Sequence, residues 1–189
     1  MERSLAAAHE RGDRGALVEG LMDAYGGELL GFIAALVRDQ DVARDLFADV
    51  WESVLTRSDD FEGRSSFRTW VYAIARNAAL NHERRRAPFR LSTRRAERLV
   101  AVPRPSTRPH LRTTNKDRLA RLRAHLDGPS QALLTLRVDR KMSWNDVARV
   151  LSDEPLTTDA EVRRASARVR KRFDRIKERL RDAMAAERP

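Results

Sequence analysis

Apolar residues recur at helical spacing along most of this chain, and one internal segment breaks the pattern. The periodic parts are residues 16–87 and 117–189, and neither contains the period-two alternation of a strand. Between them, residues 88–116 carry four Pro and seven Arg against one acid, Glu97. Such a composition favours an extended chain over a packed element. The sequence therefore predicts an all-α protein of two small helical domains, joined by a flexible basic linker, with residues 1–15 as an N-terminal tail.

Charge limits the partners that such a protein can have. The 189 residues carry a net charge of +10, and only four of the 38 basic residues are Lys. A GC-rich genome is one explanation for the Arg excess, and phosphate recognition is another. A basic chain of this kind indicates a polyanion partner, nucleic acid before membrane.

Chemistry-bearing motifs are missing from the sequence. There is no Cys, the four His are scattered, and neither a Gly-rich phosphate loop nor a nucleophile elbow is present. We therefore expect no enzyme, no metal site and no cofactor. No apolar run approaches the length of a membrane span, and the N-terminus lacks the apolar stretch of a signal peptide. We expect a cytoplasmic protein without membrane insertion.

The strongest local signal lies between Phe61 and Arg86. Glu62-Gly63-Arg64 indicates a turn, and the next two residues, both Ser, are candidate N-caps. One apolar stripe follows at helical spacing: Phe67, Trp70, Val71, Ile74 and Ala78. Pro88 predicts that this helix ends near Arg86.

The other faces of the same helix are basic and amide-bearing. Asn77, Asn81 and Arg84 are spaced i, i+4 and i+7, so they share a face. Arg favours phosphate, whereas Asn reads base edges through two hydrogen bonds. The pattern indicates a helix that lies against nucleic acid.

Two helices are predicted before this stretch. The first has a Gly26-Gly27 pair that predicts a break or kink, and the second has Asp39 or Asp41 as its N-cap. The second helix exposes Asp45, Asp49 and Glu52. In so basic a chain this acidic face is either solvated surface or the site of a basic protein partner.

The second domain has the pattern of a helix-turn-helix. Ser130 is predicted to cap one helix, and Ser143 and Thr158 open two more with the spacing of a capping box. The last helix buries an apolar stripe and exposes many Arg. A short helix, a turn and a basic helix are the plan in which the second helix enters the major groove.

These segments together resemble the extracytoplasmic-function (ECF) sigma factors of bacterial RNA polymerase. Residues 41–51, DVARDLFADVW, look like the family's polymerase-docking helix. Residues 61–77, FEGRSSFRTWVYAIARN, look like its promoter-melting and −10-reading segment. Residues 133–137 and 143–148, with the basic helix that follows, resemble its −35-reading domain.

The resemblance implies a non-catalytic transcription initiation factor that binds core RNA polymerase, reads the −35 and −10 elements and promotes promoter melting. Sigma region 2 would occupy residues 16–87, and sigma region 4 would occupy residues 117–189. The implied partners are the β′ clamp coiled coil and β flap of core polymerase, promoter DNA and an anti-sigma factor. Trp70 would be either a melting wedge or an ordinary core residue.

Site residues follow by position from the same resemblance. The residues implied for polymerase docking are Asp45, Leu46, Asp49 and Glu52. The residues implied for −10 DNA are Glu62, Gly63, Arg64, Ser65, Ser66, Arg76, Asn77, Asn81, Arg84 and Arg85. The residues implied for −35 DNA are Arg163, Arg164, Arg168, Arg170, Lys171 and Arg172. Most of these Arg should hold phosphate, and one or two should read bases.

Two departures from the family pattern stand out. The docking helix has Ala48 where Gln is usual and Trp51 where Phe is common. Residues 152–160 are longer than the usual tight turn, which predicts a splayed helix-turn-helix. If the recognition helix began near Ser166, the later basic residues, Arg168, Lys171 and Arg172, would read the DNA.

The alternative function is a stand-alone helix-turn-helix regulator of transcription that binds duplex DNA as a dimer without polymerase. It explains the second domain, but it gives no role to the acidic helix or to Asn77.

Overall fold

The computed structural model of the protein describes residues 1–93, 121–123 and 126–186, and this part of the chain is helical with no strand. Its main helices are α1 (Glu2–Glu10), α2 (Arg14–Val37), α3 (Gln40–Thr56), α4 (Phe67–Thr93), α5 (Gly128–Leu134), α6 (Trp144–Leu151) and α7 (Asp159–Ala186). A 3-10 turn spans Ser58–Asp60, and a π-helical turn spans Thr135–Asp139. The predicted all-α class is confirmed for the described residues.

Most of the predicted linker, residues 88–116, lies outside the described residues, which include only its positions 88–93. The prediction that α4 ends near Arg86 is wrong, since the helix continues through Pro88 to Thr93. A proline removes one backbone donor, and its ring fits a helix only with local distortion. The chain here remains helical on both sides of that single disruption.

The first 15 residues are part of the domain and not a tail. Leu5 and Ala8 of α1 are buried against α2. Gly20 permits this approach, because a Cβ at that position would lie only 2.9 Å from Leu5 Cδ2. Asp13 then caps α2 by accepting a hydrogen bond from the Ala16 amide at 3.0 Å.

Helix α2 is the centre of the first domain. It runs unbroken through Gly26-Gly27, so the predicted break is wrong, and Gly26 is buried near Phe47 of α3. By length and composition alone α2 could cross a membrane. Its fully buried residues, including Leu17, Leu29 and Phe32, instead pack in a core shared with α1, α3 and α4.

Helix caps in the second domain follow the sequence signals with one exception. Asp127, and not Ser130, caps α5 by accepting the Ser130 amide at 2.8 Å. Ser143 caps α6 as predicted, with the Asp146 amide at 3.1 Å. The predicted stripe on α7 is also confirmed, since its apolar positions are buried or half-buried, with Ile176 fully buried.

The two domains pack directly against each other. Glu28 of α2 lies between three partners: Arg68 Nη2 at 2.8 Å, the Tyr72 hydroxyl at 3.2 Å and, from the second domain, Arg140 Nη1 at 3.8 Å. Arg140 also donates to the Glu28 carbonyl at 3.2 Å, and Arg68 donates to the Arg140 carbonyl at 3.3 Å. The domain interface therefore contains one carboxylate shared by two guanidinium groups, beside the apolar core that continues across it.

The surroundings of Glu28 shift the pKa values of this cluster. Burial alone would raise the pKa of Glu28, but the hydrogen bond and charge of Arg68, with Arg140, outweigh it and lower that pKa. Burial raises the pKa of the Tyr72 hydroxyl to about 12. The cluster therefore keeps a charged carboxylate and a neutral phenol over the physiological pH range.

Replacing Glu28 by Gln should destabilise the protein, because Arg68 and Arg140 would then face each other without a carboxylate. We expect urea denaturation to show a loss of about 1–2 kcal/mol, the lower part of the range for a hydrogen-bonded charge, since the site is partly open to solvent. The matched control is Glu19→Gln, the same change at an exposed position of α2.

The difference between Glu28→Gln and the natural protein should depend on pH. Because the pKa of Glu28 is lowered on folding, its stabilisation is present above the ordinary value of 4.5 and is lost as the pH falls below it. Equal stability of the two proteins at neutral pH would contradict the assigned role of Glu28.

Candidate nucleic-acid interface

An aromatic cluster holds both ends of the loop formed by residues 62–66. Phe61 stacks on Phe67 with ring centroids 4.0 Å apart, and His9 of α1 lies edge-on to both rings. Within the loop, Gly63 has φ +69°, a left-handed conformation that favours glycine. The loop is thus exposed, but its ends are fixed on a packed aromatic base.

Helix α4 starts directly from this loop. Of the two candidate caps, Ser66 is the one used, since its Oγ accepts the Thr69 amide at 3.1 Å. Glu62 and Arg64 form an ion pair within the loop. Trp70 is half-buried and lies edge-on to Phe61 at 5.5 Å, the environment of a packed core residue.

The polar face of α4 brings part of the predicted −10 set together. Asn77, Asn81 and Arg84 are exposed and line one cavity of about 270 Å³. Arg57, from the end of α3, lines the same cavity. Arg85 is exposed on the same helix but does not line this cavity, nor do residues 62–66. The cavity therefore brings together only some of the residues predicted to bind −10 DNA. The loop of residues 62–66 lies at the other end of the exposed surface of α4.

Arg76 differs from its neighbours because it is already engaged. Its side chain is 12% exposed, and Nη2 forms an ion pair with Asp153 Oδ1 at 2.8 Å. Nη1 donates to the Ser152 carbonyl at 3.1 Å. Both acceptors belong to the second domain, in the loop between α6 and α7.

The acidic face of α3 is open to solvent. Asp45, Asp49 and Glu52 are exposed, whereas Leu46, which the sequence placed in the same set, is 7% exposed and packs in the core. Asp39 is the cap of α3, one of the two predicted candidates. Trp51 also lies in the core, so its indole does not belong to the acidic face.

The basic residues of α7 all face solvent. Arg163, Arg164, Arg168, Arg170, Lys171 and Arg172 are exposed. Two of them contact other elements: the Arg170 guanidinium lies 5.7 Å from the Trp144 ring, and Arg172 lies 3.9 Å from Asp127. Of the remaining four, Arg164, Arg168 and Lys171 are spaced i, i+4 and i+7 and share one exposed face of α7, which Arg163 flanks.

The longer turn does not splay the helix-turn-helix. Helix α7 begins at Asp159 rather than near Ser166, and Ser166 is buried, with its Oγ 2.8 Å from Asn145 Oδ1 of α6. Phe173 also meets Trp144 edge-on at 5.3 Å. The first turns of α7, with Arg163 and Arg164, are therefore fully formed.

The sequence signals missed two residues of this interface. Arg57 lies just after α3 and carries no periodic signal, and Asp153 lies in a loop whose length is its one distinctive feature in the sequence. Both reach the polar face of α4 through tertiary packing. No group of metal-ligating side chains occurs among the described residues.

Comparison with known proteins agrees with this geometry. Residues 21–89 match the family Sigma-70 region 2. The chain is 25% identical to the RNA polymerase sigma factor YlaC of Bacillus subtilis over 85% of its own length and 94% of that protein. It is 37% identical to the ECF RNA polymerase sigma factor SigX of the same organism, over 37% of this chain and 36% of SigX.

The fold has a match among solved structures. The sigma factor RpoE of Bartonella quintana, solved in complex with the anti-sigma factor NepR, superposes with a TM-score of 0.66 at 16% identity. The match covers 90% of this chain and 98% of that one. The likeness therefore extends over both helical domains.

A basic all-α chain with an Arg/Asn helix, a helix-turn-helix and a sigma-70 region 2 is a sigma factor, a protein of transcription initiation. Within that class, the match to SigX, over 37% of this chain, is a likeness to a sigma factor of the extracytoplasmic-function group. The stand-alone regulator is not favoured, since it leaves the match at residues 21–89 unexplained.

The start of α7 depends on a reciprocal cap that can be tested by pH. Glu161 Oε2 accepts the Thr157 and Thr158 amides, both at 2.9 Å, while Thr158 Oγ1 accepts the Glu161 amide at 3.2 Å. The backbone hydrogen bonds from Thr158 and Thr157 lower the pKa of Glu161 to about 2.

We therefore expect the Thr157 and Thr158 amide resonances to titrate together near pH 2. The stabilisation by this cap is present above the ordinary pKa of 4.5 and is lost as the pH falls through about 2. Glu161→Gln should abolish the titration, whereas Glu178→Gln, farther along α7, should leave it intact. A midpoint near 4.5 in the natural protein would show that the cap does not form.

Proposed function

We propose that this sigma factor binds core RNA polymerase through the acidic face of α3 and reads promoter DNA with α4 and α7. One observation carries the proposal: consecutive helices of one domain expose surfaces of opposite charge. An acidic surface would repel DNA, so Asp45, Asp49 and Glu52 suit a basic protein surface such as the β′ clamp coiled coil. The second domain would meet the β flap.

The −10 element would be bound by the polar face of α4 and the loop before it. A base flipped out of the non-template strand costs a few kcal/mol of unstacking, which pocket hydrogen bonds and phosphate contacts offset. Loop residues 62–66 and Asn77 would receive bases of the strand at two places along α4, because Asn77 lines the cavity and the loop does not. Arg76, Asn81, Arg84 and Arg85 would hold the sugar-phosphate chain.

The −35 element would be read by α7 in the major groove. The exposed Arg163 and Arg164 lie in its first turns, the part of a recognition helix that reaches base edges. Arg168, Arg170, Lys171 and Arg172 lie farther along the helix, where phosphate contact is the commoner role. The protein would act without catalysis or a cofactor, in the cytoplasm, and an anti-sigma factor is a candidate partner.

The docking surface can be tested by reversing its charge. The double variant Asp45→Lys/Asp49→Lys should weaken binding to core RNA polymerase at least roughly tenfold, more than the effect of one exposed ion pair. Co-migration with bacterial core polymerase in size exclusion at moderate salt measures the complex, and thermal melting should be unchanged because both residues are exposed.

The matched control is Glu19→Lys/Asp23→Lys, which makes the same change of charge at exposed positions of α2. Equal binding by the two double variants would remove α3 from the docking surface. Failure of the natural, folded protein to form any complex with core polymerase would overturn the proposed function itself.

The −10 pocket can be tested at Asn77. Asn77→Ala should slow open-complex formation by roughly 5- to 100-fold on a promoter that the reconstituted polymerase transcribes, the effect of one bidentate base contact. Gln40→Ala, an exposed amide on α3, is the control. Unchanged opening in Asn77→Ala would remove that residue from the pocket.

A further inference from the structure

The long turn between α6 and α7 rests on the DNA-binding face of the first domain. Its Asp153 carboxylate and its Ser152 carbonyl both accept from Arg76, at 2.8 and 3.1 Å. Arg76 is one of the residues proposed above to hold the −10 strand. The Arg76 side chain is 12% exposed, and both of its Nη atoms contact the turn.

The contact extends into the adjacent cavity. Asp153 lines it together with the exposed amides and guanidinium groups of Arg57, Asn77, Asn81 and Arg84. Asp153 is the one acid among the lining residues. A single carboxylate thus lies where several donors converge.

The chemistry of this contact matches that of a nucleic-acid phosphate. A guanidinium group binds a carboxylate and a phosphate through the same planar donors and at similar distances. The Nη atoms of Arg76 that hold the turn are therefore those that would hold the strand, and the two ligands exclude each other.

Several contacts hold the turn in this position. Arg149 of α6 donates to the Leu156 carbonyl at 3.1 Å, and Ser152 Oγ donates to the Glu154 carbonyl at 2.6 Å. The Glu28–Arg140 contact fixes the second domain against α2. A tight turn without residues 153–157 would not place a carboxylate on α4.

We propose that in the free protein the turn of residues 152–158 competes with DNA for the α4 face, with Asp153 in the place of a strand phosphate. The proposal rests on the function proposed above, because it treats Arg76 as a DNA contact. DNA binding through Arg76 requires that the turn leave the α4 face.

The test measures how much Arg76 contributes to DNA binding when Asp153 is present and when it is absent. The probe is a fluorescein-labelled single-stranded 20-mer of mixed sequence, titrated by anisotropy with the full-length protein at fixed salt. Arg76→Ala is made in three backgrounds: the natural chain, Asp153→Ala and Glu154→Ala. The last is the matched control, since it removes one negative charge from the same turn without touching Arg76.

We expect Arg76→Ala to change the Kd little in the natural chain and in Glu154→Ala. In Asp153→Ala it should weaken binding about two- to fivefold more, the range for a partly exposed ion pair. The double-mutant cycle also predicts the effect of Asp153→Ala on the Kd for DNA. When Arg76 is present, Asp153→Ala should tighten DNA binding more than Glu154→Ala does, and when Arg76 is replaced by Ala the two variants should bind equally. An equal effect of Arg76→Ala in all three backgrounds, including no effect, overturns the proposal.

The outcome is separable from that of the proposed function, because these titrations contain no polymerase. A stoichiometric polymerase complex together with an equal Arg76 effect in every background would leave the sigma function standing and remove the competing turn. No polymerase complex, together with a larger Arg76 effect in Asp153→Ala, would support a turn that controls DNA binding in a polymerase-independent protein.

Discussion

The Glu28 carboxylate bridges the two domains of this sigma factor through three side-chain partners. It accepts from Arg68 and Tyr72 within its own domain and faces Arg140 from the other. The Nε atoms of Arg68 and Arg140 are buried with no hydrogen-bond partner among the described residues. Such a cluster specifies one arrangement of the domains while contributing little net stability, because unpaired buried donors offset part of the gain.

Helix α4 connects this interface to the surface proposed to bind DNA. Its inner face packs Val71, Tyr72 and Ala75 into the core, and its outer face exposes Asn77 and Asn81. One helix therefore fixes the aromatic base of the loop at its N-terminal end and presents polar groups farther along. The buried core continues from α4 into the second domain, with Leu133 and Val147 among its members, so apolar packing as well as Glu28 holds the second domain against α4.

The sequence correctly predicts the parts of the fold that depend on interactions between residues close together in the chain. Asp39, Ser143 and Thr158 cap helices at the expected places, and the stripe of α7 is buried, because caps and periodicity act within a few residues. The features that the sequence did not predict depend on tertiary packing. Helix α1 is held by contacts with α2, and Gly26 is buried near Phe47 of α3. Arg57 reaches the α4 face from the end of α3, and Asp153 reaches it from the second domain. The spacing of residues in the sequence does not predict these tertiary contacts.

The turn between α6 and α7 is longer than the family pattern. Its length predicts the wrong geometry for the helix-turn-helix, but the extra residues do make a contact elsewhere in the structure. The extra residues predict a splayed helix-turn-helix, yet the buried Ser166 hydroxyl lies 2.8 Å from Asn145 Oδ1 and fixes α7 on α6. The Thr158–Glu161 cap then starts α7 immediately after the turn, so Arg163 and Arg164 keep their places in its first turns. The added residues neither splay the helix-turn-helix nor shift the start of α7 toward Ser166. Their structural consequence is instead a contact outside this motif, between Asp153 and Arg76.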